Sequence, residues 1–172
     1  MNKKVIIGIV IVTVILLAVL GVTLYLNKRI TTKDFKNEAF KITYDSTWKV
    51  TEDTKYLALQ HNKTKSTIKI QYKMLDESFL DTNLSQIIDD LMDSIVDQNT
   101  GFNLINYNKN NDKYDSFSYL YEKEKEQVLV RVYKKDCVLL VMYYSADSEV
   151  FDIVLDSVDT MLDTLEIYSG EK

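Results

Sequence analysis

The sequence holds one histidine, His61, and one cysteine, Cys137, so any thiolate–imidazole pair must be built from these two residues. Cys137 opens an apolar run, Cys137–Ser145, where a thiol behaves as a small buried hydrophobe rather than an accessible nucleophile. His61 stands beside Asn62-Lys63, a turn signal. A single His and a single Cys cannot complete the usual nitrogen and sulfur ligand set of zinc. The acids around Asp112 and Asp115 lack the glycine and terminal glutamate of an EF-hand loop. With only Gly101 and Gly170 beyond the N-terminal apolar run, a glycine-rich phosphate loop cannot form. No cofactor and no metal are expected, and the chain reads as non-enzymatic.

Acids form the more patterned set. Asp89, Asp93 and Asp97 recur at four-residue spacing in one segment, and Asp152, Asp156, Asp159 and Asp163 share a stripe in another, with no Lys or Arg inside either. Like charges at this helical spacing cost a few tenths of a kcal/mol each, so each segment must be held by its apolar face. The seven carboxylates make a candidate interaction surface for a basic partner or divalent cations, against the competing reading of two solvated helix faces. Twelve tyrosines form the third feature. Phe117, Tyr119 and Tyr121 alternate along one strand face, with Tyr133, Tyr143 and Tyr144 on its expected neighbours, a pattern of aromatic cross-strand pairing.

These residues need elements to position them. From Val5 to Leu26 the chain carries no charge; as a helix this run reaches about 33 Å, enough to cross a hydrocarbon core of about 30 Å. The run is too long for the apolar region of a signal peptide, and Ala18-Val19-Leu20 places a bulky residue where a cleavage site needs a small one. An uncleaved single-pass membrane anchor is expected. Lys28, Arg29, Lys33 and Lys36 after the span outnumber Lys3 and Lys4 before it, which favours an internal domain; the export-like charged start and the translocation of long domains regardless of charge favour an external one. The extracytoplasmic orientation is the reading adopted. The boundaries expected are a charged segment 1–4, a transmembrane helix 5–26, a linker 27–39, a domain 40–168 and a tail 169–172.

The domain is acidic. The chain has 21 Lys and Arg against 26 Asp and Glu, and four of the bases precede the domain, leaving it near −9 by a rough count. That field repels phosphate backbones, so nucleic acid is not an expected partner. The lone cysteine precludes an internal disulfide, so stability must come from burial.

Phe40, Ile42 and Tyr44 alternate as a half-buried strand, and Trp48–Thr51 follows a turn at Asp45-Ser46. Tyr56–Gln60 and Thr67–Tyr72 read as a hairpin. Leu84, Ile87, Ile88, Leu91, Met92, Ile95 and Val96 share one helical stripe, capped by Asp81 or Asn83 and stopped at Gly101. Strands near Phe102–Asn108, Ser116–Glu122, Gln127–Lys134 and Cys137–Ser145 form a meander. The last is apolar on both faces, which predicts a central strand covered above and below. A second helix, Ser148 to about Leu165, supplies one cover. The expected fold is α+β: one antiparallel sheet with helices on both faces.

This order of elements, with Phe40-x-Ile42-x-Tyr44-x-x-x-Trp48 opening the domain and a strand-then-helix carrying Ser157 and Thr164 closing it, resembles the PsbP-like superfamily. The resemblance implies an α/β/α sandwich and a non-enzymatic role in partner binding or assembly. The functional expectation is a membrane-tethered module that binds another envelope protein or a wall component; the alternative is a small-ligand carrier or sensor with a pocket between sheet and helix, with a hydrolase last.

Overall fold

The computed structural model describes residues 13, 15–19, 31–54, 56–88, 103–111 and 114–169, with the backbone alone for 103–111 and 123. The chain divides into two units, Met1–Thr32 and Lys33–Lys172. In the first, residues 15–19 are helical, with Ile15, Leu16, Leu17 and Val19 exposed. No helix among the described residues is long and apolar enough to cross a membrane; most of the predicted span 5–26 lies outside them.

The described residues form ten strands: β1 (Thr32–Lys36), β2 (Phe40–Asp45), β3 (Trp48–Glu52), β4 (Leu57–His61), β5 (Thr67–Met74), β6 (Asn103–Asn111), β7 (Asp115–Lys123), β8 (Glu126–Lys135), β9 (Val138–Asp147) and β10 (Glu166–Ile167). One closing helix spans Phe151–Asp163, and residues 84–88 are helical. The predicted single sheet is corrected to two: a seven-stranded sheet ordered β3-β4-β5-β9-β8-β7-β6 and a three-stranded sheet ordered β1-β2-β10. The turn at Asp45–Thr47, where the Asp45 carboxylate accepts the Thr47 amide at 2.7 Å, separates β2 from β3. β2 then pairs with β10, and β3 with β4. Part of the segment expected as linker, 27–39, is strand β1. The closing helix is shorter than the predicted Ser148–Leu165.

β9 is the middle strand of seven, between β5 and β8, as its two apolar faces require. On one face Val138, Leu140, Met142 and Tyr144 are wholly buried and join Ile68, Ile70, Leu57, Leu59 and Trp48 in one core with Phe40, Ile42 and Tyr44 of β2 and Phe151, Val154, Val158 and Met161 of the closing helix. The helix and the small sheet thus form one covering layer. On the other face Val141, with Val128, Val130, Val132, Phe117 and Tyr119, packs beneath Leu84 and Ile88. The predicted continuation of that helix through Leu91, Met92, Ile95 and Val96 to Gly101 lies outside the described residues.

Short antiparallel connections set the register. β7 and β8 meet at Lys123↔Glu126, and β8 and β9 at Lys135↔Val138. No glycine stands in these loops, so Glu124 (φ 59) and Asp136 (φ 51) take left-handed backbone, as does Lys65 (φ 64) in the β4–β5 turn, at a cost of roughly 1 kcal/mol each.

Polar contacts tie the closing helix and its C-terminal residue Thr164 to neighbouring strands. Trp48 Nε1 donates to Ser157 Oγ at 3.1 Å, and Tyr144 Oη donates to the Phe151 carbonyl at 2.8 Å. The Thr43 amide donates to Thr164 Oγ1 at 2.9 Å. Arg131 Nη1 of β8 lies 2.8 Å from Asp159 Oδ1.

Candidate functional site

The two residues that could form a nucleophile and base are held apart by the sheet. His61 ends β4, level with Ser66 at the start of β5, and Thr67 pairs with Ser145 near the end of β9. Cys137 sits in the β8–β9 turn, at the start of β9. At about 3.3 Å per residue the length of β9 separates them by about 25 Å, so they form no dyad. His61 serves its own turn instead: Nδ1 lies 2.8 Å from Thr64 Oγ1, which lies 2.7 Å from Ser66 Oγ. The Thr64 amide also points at Nδ1, at 3.3 Å. The Trp48 ring lies 5.1 Å away, centroid to centroid. Burial pushes the imidazole pKa below its ordinary value; Asp45 opposes that shift and Lys63 adds to it.

The structure sorts the predicted acidic surface into three groups. Asp152, Asp156 and Asp163 are exposed on the closing helix. Asp159 turns toward the sheet and pairs with Arg131; neither Arg131 Nε nor Asp159 Oδ1 gains an aligned hydrogen bond, so the contact is one charge against another. Asp89, Asp93 and Asp97 lie outside the described residues. Among the described residues no group of acids, histidine and cysteine converges as a metal site.

The tyrosines separate by face. Phe117, Tyr119 and Tyr121 form a ladder with centroid spacings of 6.2 Å, the last two stacked at 21°. Burial raises the pKa of Tyr119, Tyr121 and Tyr143 together. Tyr133 and Tyr144 point into the opposite core, and burial pushes Tyr144 up to about 12. These rings are packing elements.

Sequence reasoning missed the end of the sheet where β8 turns into β9. There a groove of about 750 Å³ is bounded by Leu80, Tyr114, Lys134, Lys135, Glu166 and Tyr168, among others. Lys134 Nζ donates to the Leu80 carbonyl and Lys135 Nζ to the Ile167 carbonyl, each at 2.8 Å. Tyr114 Oη accepts the Ile167 amide at 3.1 Å and donates to the Leu165 carbonyl at 3.3 Å. The outer edge of β10 is therefore closed by two side chains instead of a strand. Met74, Phe79 and Leu80, on or just beyond β5, are exposed at this end. The adjacent Lys134-Lys135 pair before a turn was the one sequence signal available.

No family model matches the chain, and no curated protein matches it. Solved structures do. Cyanobacterial PsbP (CyanoP) from Synechocystis sp. PCC 6803 superposes with a TM-score of 0.60 at 14% identity, covering 81% of this chain and 93% of that one. LpqN of Mycobacterium tuberculosis, involved in cell envelope biogenesis, gives 0.57 at 8% identity, covering 80% and 91%. A protein of unknown function from Pseudomonas aeruginosa gives 0.55 at 12% identity, covering 79% and 95%. Likeness at these identities is one of fold.

Proposed function

From the premise that the chain adopts the PsbP-like fold, we propose that it is a membrane-tethered, extracytoplasmic, non-catalytic module that docks onto another envelope protein. The observation that carries this reading is where the chain joins the domain. Asp34 of β1 pairs with Lys41 at 3.3 Å and accepts the Thr43 hydroxyl at 2.8 Å, and the Asn37 amide donates to the Phe40 carbonyl at 3.0 Å. β1 therefore starts beside the Asp45 end of β2. Its other end lies by Phe40, which is opposite Ile167. The preceding chain joins at the Asp45 end, and Glu166 and Ile167, which line the groove, pair with Lys41 and Phe40 at the other end of β2, about 15 Å away. The Ser157 and Tyr144 hydroxyls and the Trp48 indole are spent on hydrogen bonds between the layers, which supports a binding role over a catalytic one. LpqN, whose fold is similar, is described as involved in cell envelope biogenesis.

Protease treatment of intact cells tests the tether and its orientation: the domain is degraded from outside while a cytoplasmic marker survives. Protection of the domain in intact cells, with digestion only after lysis, rejects the extracytoplasmic reading.

A further inference from the structure

Beyond the docking reading, and independent of it, we propose that the pocket where β1 and the β3–β4 connection meet β5 binds the alkylated ammonium group of a small organic cation, the class that choline represents. The pocket holds about 270 Å³ and is lined by three aromatic residues, Phe35, Tyr56 and Tyr72, and two carboxylates, Glu38 and Asp53. That volume lies at the small end of ligand sites, which run from about 300 to 1,000 Å³. Ring faces and carboxylates are the surfaces that attract a cation, and rings gathered around an ammonium favour one that carries methyl groups. Among the described residues lining the pocket there is no base.

The walls are fixed before a ligand arrives. Phe35 and Tyr72 both pack on the buried Phe40 ring, at centroid distances of 5.4 and 6.4 Å, and Tyr72 Oη donates to Glu38 Oε1 at 2.6 Å. A cation already stands at the margin: Lys69 Nζ lies 4.2 Å from the centroid of the Tyr56 ring. Glu38 and Asp53 outnumber that one ammonium, so the local field still favours a second positive charge. The neutral acceptors are spent on the chain itself. Asn37 Oδ1 accepts the Ala39 and Phe40 amides at 2.9 and 2.8 Å, and the Thr54 hydroxyl donates to Glu52. A sugar or a primary amine brings several N–H or O–H donors that must be satisfied. A fully alkylated ammonium brings none and needs only charge and ring surface, which is what the pocket offers.

Titration of the full-length protein in maltoside micelles, at constant ionic strength set with KCl, tests the site. Choline should bind about tenfold more tightly than dimethylbutanol, its uncharged carbon analogue. Glu38→Gln and Asp53→Asn introduced together should weaken choline about fivefold, and Tyr72→Leu, which keeps an apolar side chain, about threefold. Glu38 and Asp53 are exposed, so that pair of changes leaves the core intact, and a circular dichroism melt confirms that each variant is folded. Phosphocholine separates the two sources of the ammonium group: weaker binding than choline assigns the site to a free solute, equal or tighter binding to a lipid headgroup. Absence of saturable choline binding, equal affinity for the uncharged analogue, or a choline affinity unchanged in the folded double variant overturns the proposal. The protease result on intact cells is unaffected by any of these outcomes, so the docking reading and this site fail separately.

Discussion

Trp48 Nε1 and Ser157 Oγ, 109 residues apart in sequence, meet at 3.1 Å and join an edge strand of the large sheet to the middle of the closing helix. Trp48 is almost wholly buried, so its indole N–H has few other partners. Ser157→Ala should cost about 1 kcal/mol in urea unfolding, the net value of such a bond. Trp48→Phe combined with Ser157→Ala should cost less than the two single changes added together, because both remove the same bond. Strict additivity would show that the contact contributes nothing.

Arg131 and Asp159 make the second link between sheet and helix, and part of each side chain is open to water, 21% and 44% respectively. Arg131→Gln should lower stability by about 0.5–1 kcal/mol at low salt, a modest figure for a screened pair. The gap between wild type and variant should narrow near 1 M NaCl, where the Debye length falls to about 3 Å. A gap independent of salt would assign the loss to the packed stem of the arginine instead.

His61 gives the domain an acid-side dependence with a definite sign. Burial holds its folded-state pKa below the ordinary value of 6.5, so in mild acid the unfolded chain binds more protons than the folded one. Stability is then full above the unfolded pKa and declines as pH falls below about 6.5. His61→Gln should flatten the curve between about pH 6.5 and pH 5.5, as read by urea midpoints. A slope unchanged in that variant would place the effect on other groups.

Glu124 and Asp136 hold left-handed backbone in two-residue connections. Glu124→Gly should raise stability by about 0.5 kcal/mol, the relief of strain exceeding the added freedom of the unfolded chain. Glu124→Val should lower it by about 1 kcal/mol, since a β-branched side chain is worst there. Thermal melts distinguish the two, with opposite shifts of a few degrees. Equal melting temperatures would show the turn relaxing to other angles at no cost.

The meander was readable because β7 and β8 alternate with a period of two, β9 is an unbroken apolar run, and polar turns separate them. β9 could be set at the centre from its two apolar faces alone. Other features left no periodic trace. Glu166-Ile167 is too short to show alternation, so β10 was hidden, and with it the small sheet that takes β2 from the large one. Asp152, Asp156, Asp159 and Asp163 all lie on the closing helix, but only Asp152, Asp156 and Asp163 are exposed there. That Asp159 finds Arg131 could not be seen, because the partner lies on a strand in another layer rather than one turn away. The distance between His61 and Cys137 likewise depends on strand pairing, which no local pattern encodes. Tyr114 and Lys135 looked like ordinary turn-flanking residues until the fold brought the end of the chain against them.

Those two side chains have a consequence for how copies of the molecule behave in company. A bare sheet margin is a template on which a neighbour can lay down the next strand, and growth by addition begins there. At β10 the amide and carbonyl of Ile167 are already bonded to a phenol and an ammonium, so an approaching chain meets occupied positions along that margin. Molecules gathered at high density can touch on this side without zipping into a shared ribbon.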